Sequence, residues 1–261
     1  MEIINSEQNQ WIKKLRLLQQ KKYREESGLF VIEGLRFCEE AITNQEDIVV
    51  LLVSDKLLNN NSIKNLLKKY KNKPLIVADE VLAKQLKTVN PQGIAAIVHK
   101  PQFDKEKVLE GEVILVIDGV QDPGNLGTIF RTALAAGVSG VFCLKGTVDV
   151  FNDKTLRSTM GAIFNLPIFI EDEPLPFLKE LKKEGFQIIM ADPKGEKFYH
   201  QFEYPKKSAL VLGSESRGPI NIIEADYRVK IPLNPLSESL NVAVAGGIIL
   251  YEINRQRDPH Q

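Results

Sequence analysis

"VILVIDGVQDPGNLGTIFRTALAAG", residues 113–137, decides the class of the fold. Five apolar residues closed by Asp118 make a run too apolar for a surface strand, so it reads as a strand buried on both faces. Leu126, Ile129, Phe130, Ala133 and Leu134 then recur at helical spacing. A buried strand passing straight into a helix is half of a βαβ unit, the building block of a parallel sheet. The turn between them looks at first like a dinucleotide loop. That fingerprint needs G-x-G-x-x-G, whereas Gly124 and Gly127 are spaced G-x-x-G, and no G-K-[ST] follows. What remains is Asn125-x-Gly127-x-x-x-Arg131. Asn125 is a good helix N-cap. Arg131 lies off the apolar stripe, and helical side chains lean toward the N-terminus. Its guanidinium can therefore return to the loop mouth and build an anion-binding corner with the free N–H groups. An ordinary surface arginine would have the same spacing.

The pattern extends in both directions. Before it, "GLFVIEG", "DIVVLLVS", "PLIVA" and "QGIAAIVHK" read as strands, alternating with helical stretches such as "SIKNLLKKY". This alternation implies a mainly parallel sheet covered on both sides. The polar "KPQFDKEKVLEGE" reads as a linker, which gives domains at 1–105 and 106–261. After it come strands at 113–118, 140–144, 166–170, 187–191, 209–213 and 228–232, with helices beginning near Asn125, Asn152, Pro176, Pro219 and Ser239. The last helix, in "LNVAVAGGIILYEI", is apolar nearly all the way round and is expected to be buried on every side. Its paired Gly246 and Gly247 imply that something approaches the backbone closely.

Ligands of doubly wound sheets sit beyond the carboxyl ends of strands, and two more loops there are unusual. In "ALVLGSESRGPI", Gly213 and Gly218 bracket Glu215 directly after a buried strand. In "IPLNPLSESLNVAVA", Pro232 and Pro235 fix an extended loop, and Ser237, Ser239 and Asn241 lead into the apolar helix. Taken singly, the first could be a plain strand-to-helix turn and the second a plain N-cap.

Composition narrows the classes. The chain has 261 residues, 43% of them hydrophobic, enough for one large or two ordinary cores. Cys38 and Cys143 are too few for a disulfide framework or a thiolate zinc site, and His99, His200 and His260 stand alone, so no metal is expected. The apolar stretch 242–251 is far short of the roughly 20 residues that span a bilayer. With no apolar segment at the start, a reducing cytoplasm is the expected location. Net charge is zero, but residues 1–105 carry 17 Lys+Arg against 13 Asp+Glu, and 106–261 carry 17 against 21. From Trp11 to Arg24 there are six cations (Lys13, Lys14, Arg16, Lys21, Lys22, Arg24) and no acid. Such a run attracts phosphate, or is simply a solvated helix face.

In this order and spacing, the three loops resemble the motifs of the SpoU (TrmH) family of RNA ribose methyltransferases, within the SPOUT class. Asn125, Gly127 and Arg131 are similar to its N-x-G-x-x-x-R motif, and "LGSESRG" to its glycine–glutamate–glycine loop. "IPLNPLSESLNVAVAGGIILYE" is similar to its I-P turn with S-L-N and apolar helix. Ser216 departs from the second motif, which carries a glycine there; at positive φ that exchange costs about 1 kcal/mol. "KKYREESGLFVIEGLRFCEEAI" and "NPQGIAAIV" resemble the ribosomal-protein-like RNA-binding domain that precedes many members.

The resemblance implies an α/β-knot catalytic domain: a mainly parallel sheet with a trefoil knot, behind a smaller α/β RNA-binding domain. It implies S-adenosylmethionine, held by Leu212, Gly213, Ile231, Leu233 and Leu240, and a homodimer through the C-terminal domain. Arg131 would be the key catalytic residue. Since arginine stays protonated, it is expected to grip the adjacent phosphate and stabilise the developing oxyanion. Asn125 and Glu215 would position Arg131 and the ribose, while Ser239 and Asn241 would floor the methyl site. In that reading the basic run 11–24 grips the RNA. The two-domain layout favours ribosomal RNA by analogy, with transfer RNA as the alternative substrate. Two readings from other classes stay open: a non-catalytic RNA-binding assembly factor on the same fold, and a nucleotide-dependent oxidoreductase, against which the missing fingerprint speaks.

Overall fold

A computed structural model describes residues 2–214, 218–219 and 225–257. It divides into two compact units, residues 1–101 with 151–157, and residues 102–150 with 158–261. Segment 151–157 assorts with the first unit because its apolar side chains pack there. The Phe151 ring lies 5.1 Å from that of Phe30, and Leu156 is buried.

The first unit comprises β1 (Ile3–Ile4), α1 (Gln10–Leu17), α2 (Lys21–Ser27), β2 (Leu29–Glu33), α3 (Leu35–Thr43), β3 (Ile48–Ser54), α4 (Asn61–Lys69), β4 (Leu75–Val77), α5 (Asp79–Ala83) and β5 (Ile94–His99). Asn9 starts α1 by accepting from the Trp11 amide, and Ile12, Leu15 and Leu18 pack with Val50, Leu52 and Val77 of the sheet. The strand order is β1-β4-β3-β5-β2. Here the expectation of a mainly parallel sheet fails: β5 runs antiparallel to both β2 and β3. Helix α5 has only five residues, too few to carry the chain back along the sheet. Strand β5 is therefore entered from the opposite end.

The second unit contains α6 (Lys105–Glu110), β6 (Val113–Asp118), α7 (Pro123–Ala135), β7 (Gly140–Leu144), the end of α8 (Asp153–Thr159), α9 (Ala162–Asn165), β8 (Ile168–Glu171), α10 (Pro174–Lys183), β9 (Gln187–Ala191), β10 (Lys197–Phe198), β11 (Ser208–Gly213), β12 (Tyr227–Lys230) and α11 (Val242–Arg257). Every strand expected in this half is present. The supposed linker proves to hold α6, which buries Val108 and Leu109. Two apolar residues in six are too few to show a period in sequence. The helix expected near Pro219 falls largely outside the described residues.

Seven strands form one parallel sheet in the order β10-β12-β9-β11-β6-β7-β8. From β6 the chain steps through β7 to β8 at one edge, and β9, β11 and β12 fill the other side. The order reverses between β6 and β11, the kind of position where open α/β sheets bind ligands. Parallel pairing also aligns the strand ends: Asp118 of β6 pairs with Gly213 of β11, and Ala191 of β9 with Val229 of β12.

Helix α11 packs on α7 and β11 through its glycines. A Cβ at Gly246 would lie 2.6 Å from a Leu212 methyl, and one at Gly247 3.4 Å from the Thr132 methyl, so the close approach expected here is real. Burial on all sides is not, within one chain. Val244 is 51% and Tyr251 54% exposed. Among the described residues, no helix is long and apolar enough to cross a membrane.

Candidate active site

The first loop is built by the end of β6 and the start of α7. Asp122, not Asn125, is the N-cap, accepting from the Asn125 amide at 2.8 Å. Pro123 takes the first helical position, where its fixed φ fits and its missing N–H costs nothing. The Asn125 side chain serves elsewhere. Its Oδ1 accepts a 2.8 Å hydrogen bond from Nδ2 of Asn241, 116 residues further along the chain. Gln121 pins the same loop by donating to the Gly146 carbonyl.

The second loop leaves β11 at Gly213. A Cβ there would lie 2.2 Å from the Pro219 nitrogen and 2.4 Å from the Gly218 carbonyl carbon. These are backbone atoms that no rotamer change can move, so the fold demands glycine. Ser214 and Gly218 close the loop with reciprocal hydrogen bonds of 3.0 and 2.9 Å. Glu215 and Ser216, the carboxylate and the departure singled out in sequence, lie outside the described residues.

The third loop follows β12. Asn241 caps α11 with its Oδ1, accepting from the amides of Ala243 at 2.9 Å and Val244 at 3.3 Å. One side chain thus starts the last helix and ties it to the first loop.

Beyond the ends of β9, β11 and β12 lies a cavity of about 670 Å³, within the range of small-molecule sites. All five expected cofactor residues (Leu212, Gly213, Ile231, Leu233, Leu240) line it, with Ser239 beside them. Val242, Ala245 and Ile249 of α11 make the wall more apolar. Charged residues also line it: Asp192, Lys194 and Arg228, with Arg228 reaching Asp192 at 3.4 Å. Sequence reasoning missed these residues. The signal was available, because "QIIMADPKG" is another buried strand followed by a Pro-Gly turn. That β9 lies beside β11 was not readable.

Asn125, Asn241 and Arg131 are not among the cavity's lining residues. The asparagine pair joins the first loop to the third at Asn241, directly after Ser239 and Leu240 of the cavity. Arg131 sits on the exposed side of α7, six residues past Asn125 and about 9 Å along the axis, and has no ion-pair partner among the described residues. The arrangement offers an apolar slot with exposed main chain, a polar floor, and a separate cation. An apolar slot with main-chain donors and acceptors suits a purine, and an unpaired guanidinium suits a phosphate.

Comparison with known proteins gives the family of both parts of the chain. A model described as the SpoU rRNA Methylase family matches residues 112–251, and one described as the MRM3-like substrate binding domain matches residues 9–96. The 23S rRNA (guanosine(2553)-2'-O)-methyltransferase RlmP of Bacillus subtilis is 34% identical over 97% of this chain and 99% of its own. The SpoU methyltransferase AviRb of Streptomyces viridochromogenes, solved with AdoMet, superposes with a TM-score of 0.86 at 26% identity, over 96% of this chain and 98% of that one. A TrmH/SpoU tRNA modifying enzyme of A. aeolicus is 33% identical, with a TM-score of 0.51, over 59% of this chain and 80% of its own.

Proposed function

We infer, from a chain that belongs to the SpoU rRNA methylase family, that this protein transfers a methyl group from S-adenosylmethionine to a ribose 2'-hydroxyl of RNA, ribosomal RNA in particular. The observation that carries the reading is the convergence of three separated stretches. The second and third wall a nucleoside-sized cavity beyond the ends of β9, β11 and β12, and the Asn125–Asn241 hydrogen bond ties the first to the third. Ribosomal RNA is favoured over transfer RNA by coverage. The 23S rRNA relative matches both units, whereas the tRNA modifying enzyme matches 59% of the chain. Residues 1–105 would hold the RNA, and 106–261 would carry the chemistry.

The cavity fits the cofactor. Leu212, Ile231, Leu233 and Leu240 would enclose adenine, with Gly213 in the same wall. When bound, S-adenosylmethionine supplies an electrophilic methyl on a sulfonium. The chain's own residues do the rest. Arg131 stays protonated; it would hold the phosphate next to the reacting ribose and stabilise charge growing on the 2'-oxygen. Asn125, fixed by Asn241, and Glu215 would position Arg131 and the ribose, and Ser239 and Asn241 would floor the methyl site.

The protein would act in the cytoplasm as a homodimer through the second unit. Supporting this is the apolar stripe on α11 and α7, where Val244, Tyr251 and Leu134 face solvent in the single chain. The test is Arg131→Ala. Calorimetry should show unchanged S-adenosylmethionine binding, and ribosomal RNA methylation should fall about 10²–10³-fold, the usual loss for one stabilising donor. Wild-type transfer by Arg131→Ala would refute the assignment.

A further inference from the structure

The first unit carries two basic runs, and the structure separates them. In the run 11–24, Arg24 is buried and donates to the Leu18 carbonyl at 2.7 Å. Arg16 is bound to Glu7 and Gln85. Lys21 and Lys22 pair one turn on with Glu25 and Glu26. Lys13 and Lys14 have no carboxylate partner among the described residues, and Lys14 lies over the Trp11 ring at 5.8 Å. Most of the charge that made this run conspicuous is already neutralised by the fold.

The second run is 56–78, with six lysines and no acid. Lys56 pairs with Asp79 and Lys69 with Glu39. Lys64, Lys68, Lys71 and Lys73 are exposed and have no ion-pair partner among the described residues. Lys64 and Lys68 stand one turn apart on α4, about 6 Å along the axis. With Asn61, Asn65 and Leu67 they border one shallow depression. Ile63 and Leu66 anchor the opposite face in the core, and Asn60 caps the helix by accepting from Ser62 and Ile63. The helix that carries Lys64 and Lys68 is thus a fixed scaffold, and Lys71 and Lys73 follow just after its end, also exposed.

We propose that the RNA substrate's phosphate backbone is held on the α4 face, by Lys64, Lys68, Lys71 and Lys73, rather than on α1 and α2. The proposal rests on the RNA methyltransferase reading above. A cation already paired in the protein must break that pair to meet a phosphate, whereas a solvated lysine only releases the phosphate's counterions. Amide side chains at Asn61 and Asn65 can donate to phosphate or 2'-hydroxyl oxygens on the same face.

The test uses the full-length protein and end-labelled fragments of protein-free 23S ribosomal RNA in filter binding from low to moderate salt. Lys64→Glu/Lys68→Glu/Lys71→Glu is compared with Lys13→Glu/Lys14→Glu, and Lys64→Gln/Lys68→Gln/Lys71→Gln guards against helix disruption. The α4 variants should bind at least about tenfold more weakly. The slope of log affinity against log salt should fall by about 2, since each phosphate left unneutralised removes roughly 0.7. The α1 variant should stay within a few-fold of wild type, and all should bind S-adenosylmethionine normally. Wild-type RNA affinity in both α4 variants, or a larger loss in the α1 variant, overturns the proposal while leaving the enzymatic reading intact. A wild-type protein that binds S-adenosylmethionine but no ribosomal RNA overturns both.

Discussion

Asn241 performs two tasks with two atoms, and substitution can separate them. Its Oδ1 caps α11 and its Nδ2 holds Asn125. Removing an N-cap costs about 1 kcal/mol, and losing a hydrogen bond of this kind costs about another. Asn241→Ala should therefore lose about 2 kcal/mol. For a chain of this length each kcal/mol moves Tm by about 2–4 °C, so the midpoint should drop about 4–8 °C. Asn241→Asp keeps the capping oxygen and places a negative charge at a helix N-terminus, which is favourable. Its loss should be confined to the bridge, about 1 kcal/mol or less. Its activity should suffer far more, because a carboxylate cannot donate to Asn125; the ribose is then misplaced, and an error of about 1 Å can cost 10²-fold. We expect kcat to fall at least about tenfold in Asn241→Asp, with Tm within a few degrees of wild type. Asn125→Ala should lose a similar amount, and the double variant should be no worse than the poorer single one. The assays are thermal denaturation by circular dichroism and methyl incorporation into ribosomal RNA. If Asn241→Asp turns over like wild type, or the two substitutions multiply in kcat, the bridge does not position the site.

Gly213→Ala should reduce S-adenosylmethionine affinity by more than about tenfold, or about 1.4 kcal/mol, in calorimetry, because its methyl would sit 2.2 Å from a backbone nitrogen; normal binding would show that the loop after β11 is not part of the cofactor site. Glu252→Gln tests an ion pair on α11: Arg255, bound at 2.7 and 2.9 Å, holds the Glu252 carboxyl below its ordinary value against the opposing effect of burial. A depressed carboxyl contributes in full above the unfolded value near 4.5 and loses its contribution as pH falls through the lower folded one. The variant should melt below wild type at neutral pH, and the gap should narrow as pH falls below about 4.5. A gap that stays constant through that fall in pH would remove the ion pair from the account. Val244→Glu with Tyr251→Glu should shift the sedimentation coefficient to that of a monomer, and an unchanged dimer would place the interface elsewhere.

Much of this protein is legible in its sequence. The apolar run 113–118 and the helical spacing after it mark β6 and α7 almost to the residue. The three loops are conspicuous because glycines, prolines and lone polar residues interrupt strong patterns there, and the second and third line one cavity. The errors share a cause. Asn125 looks like the cap since its type is right, but Asp122 before Pro123 is the better start, and the Asn125 amide turns instead to a partner 116 residues away. The run 11–24 looks unpaired because Glu25 and Glu26 lie just past its end and Glu7 just before its start. Arg24 in addition is buried by packing that its type argues against.

The sequence by itself determined most of the elements, the parallel class of the second unit and which turns are special, because periodicity and turn chemistry act over a few residues. Only the tertiary structure decided which strand ends are neighbours, that β5 runs backwards, that residues 151–157 assort with the first unit, and which lysines remain unpaired. Each of those depends on contacts between residues far apart in the chain. Hydrogen-bond ladders and ion pairs form wherever packing brings groups together, and no local pattern encodes their partner.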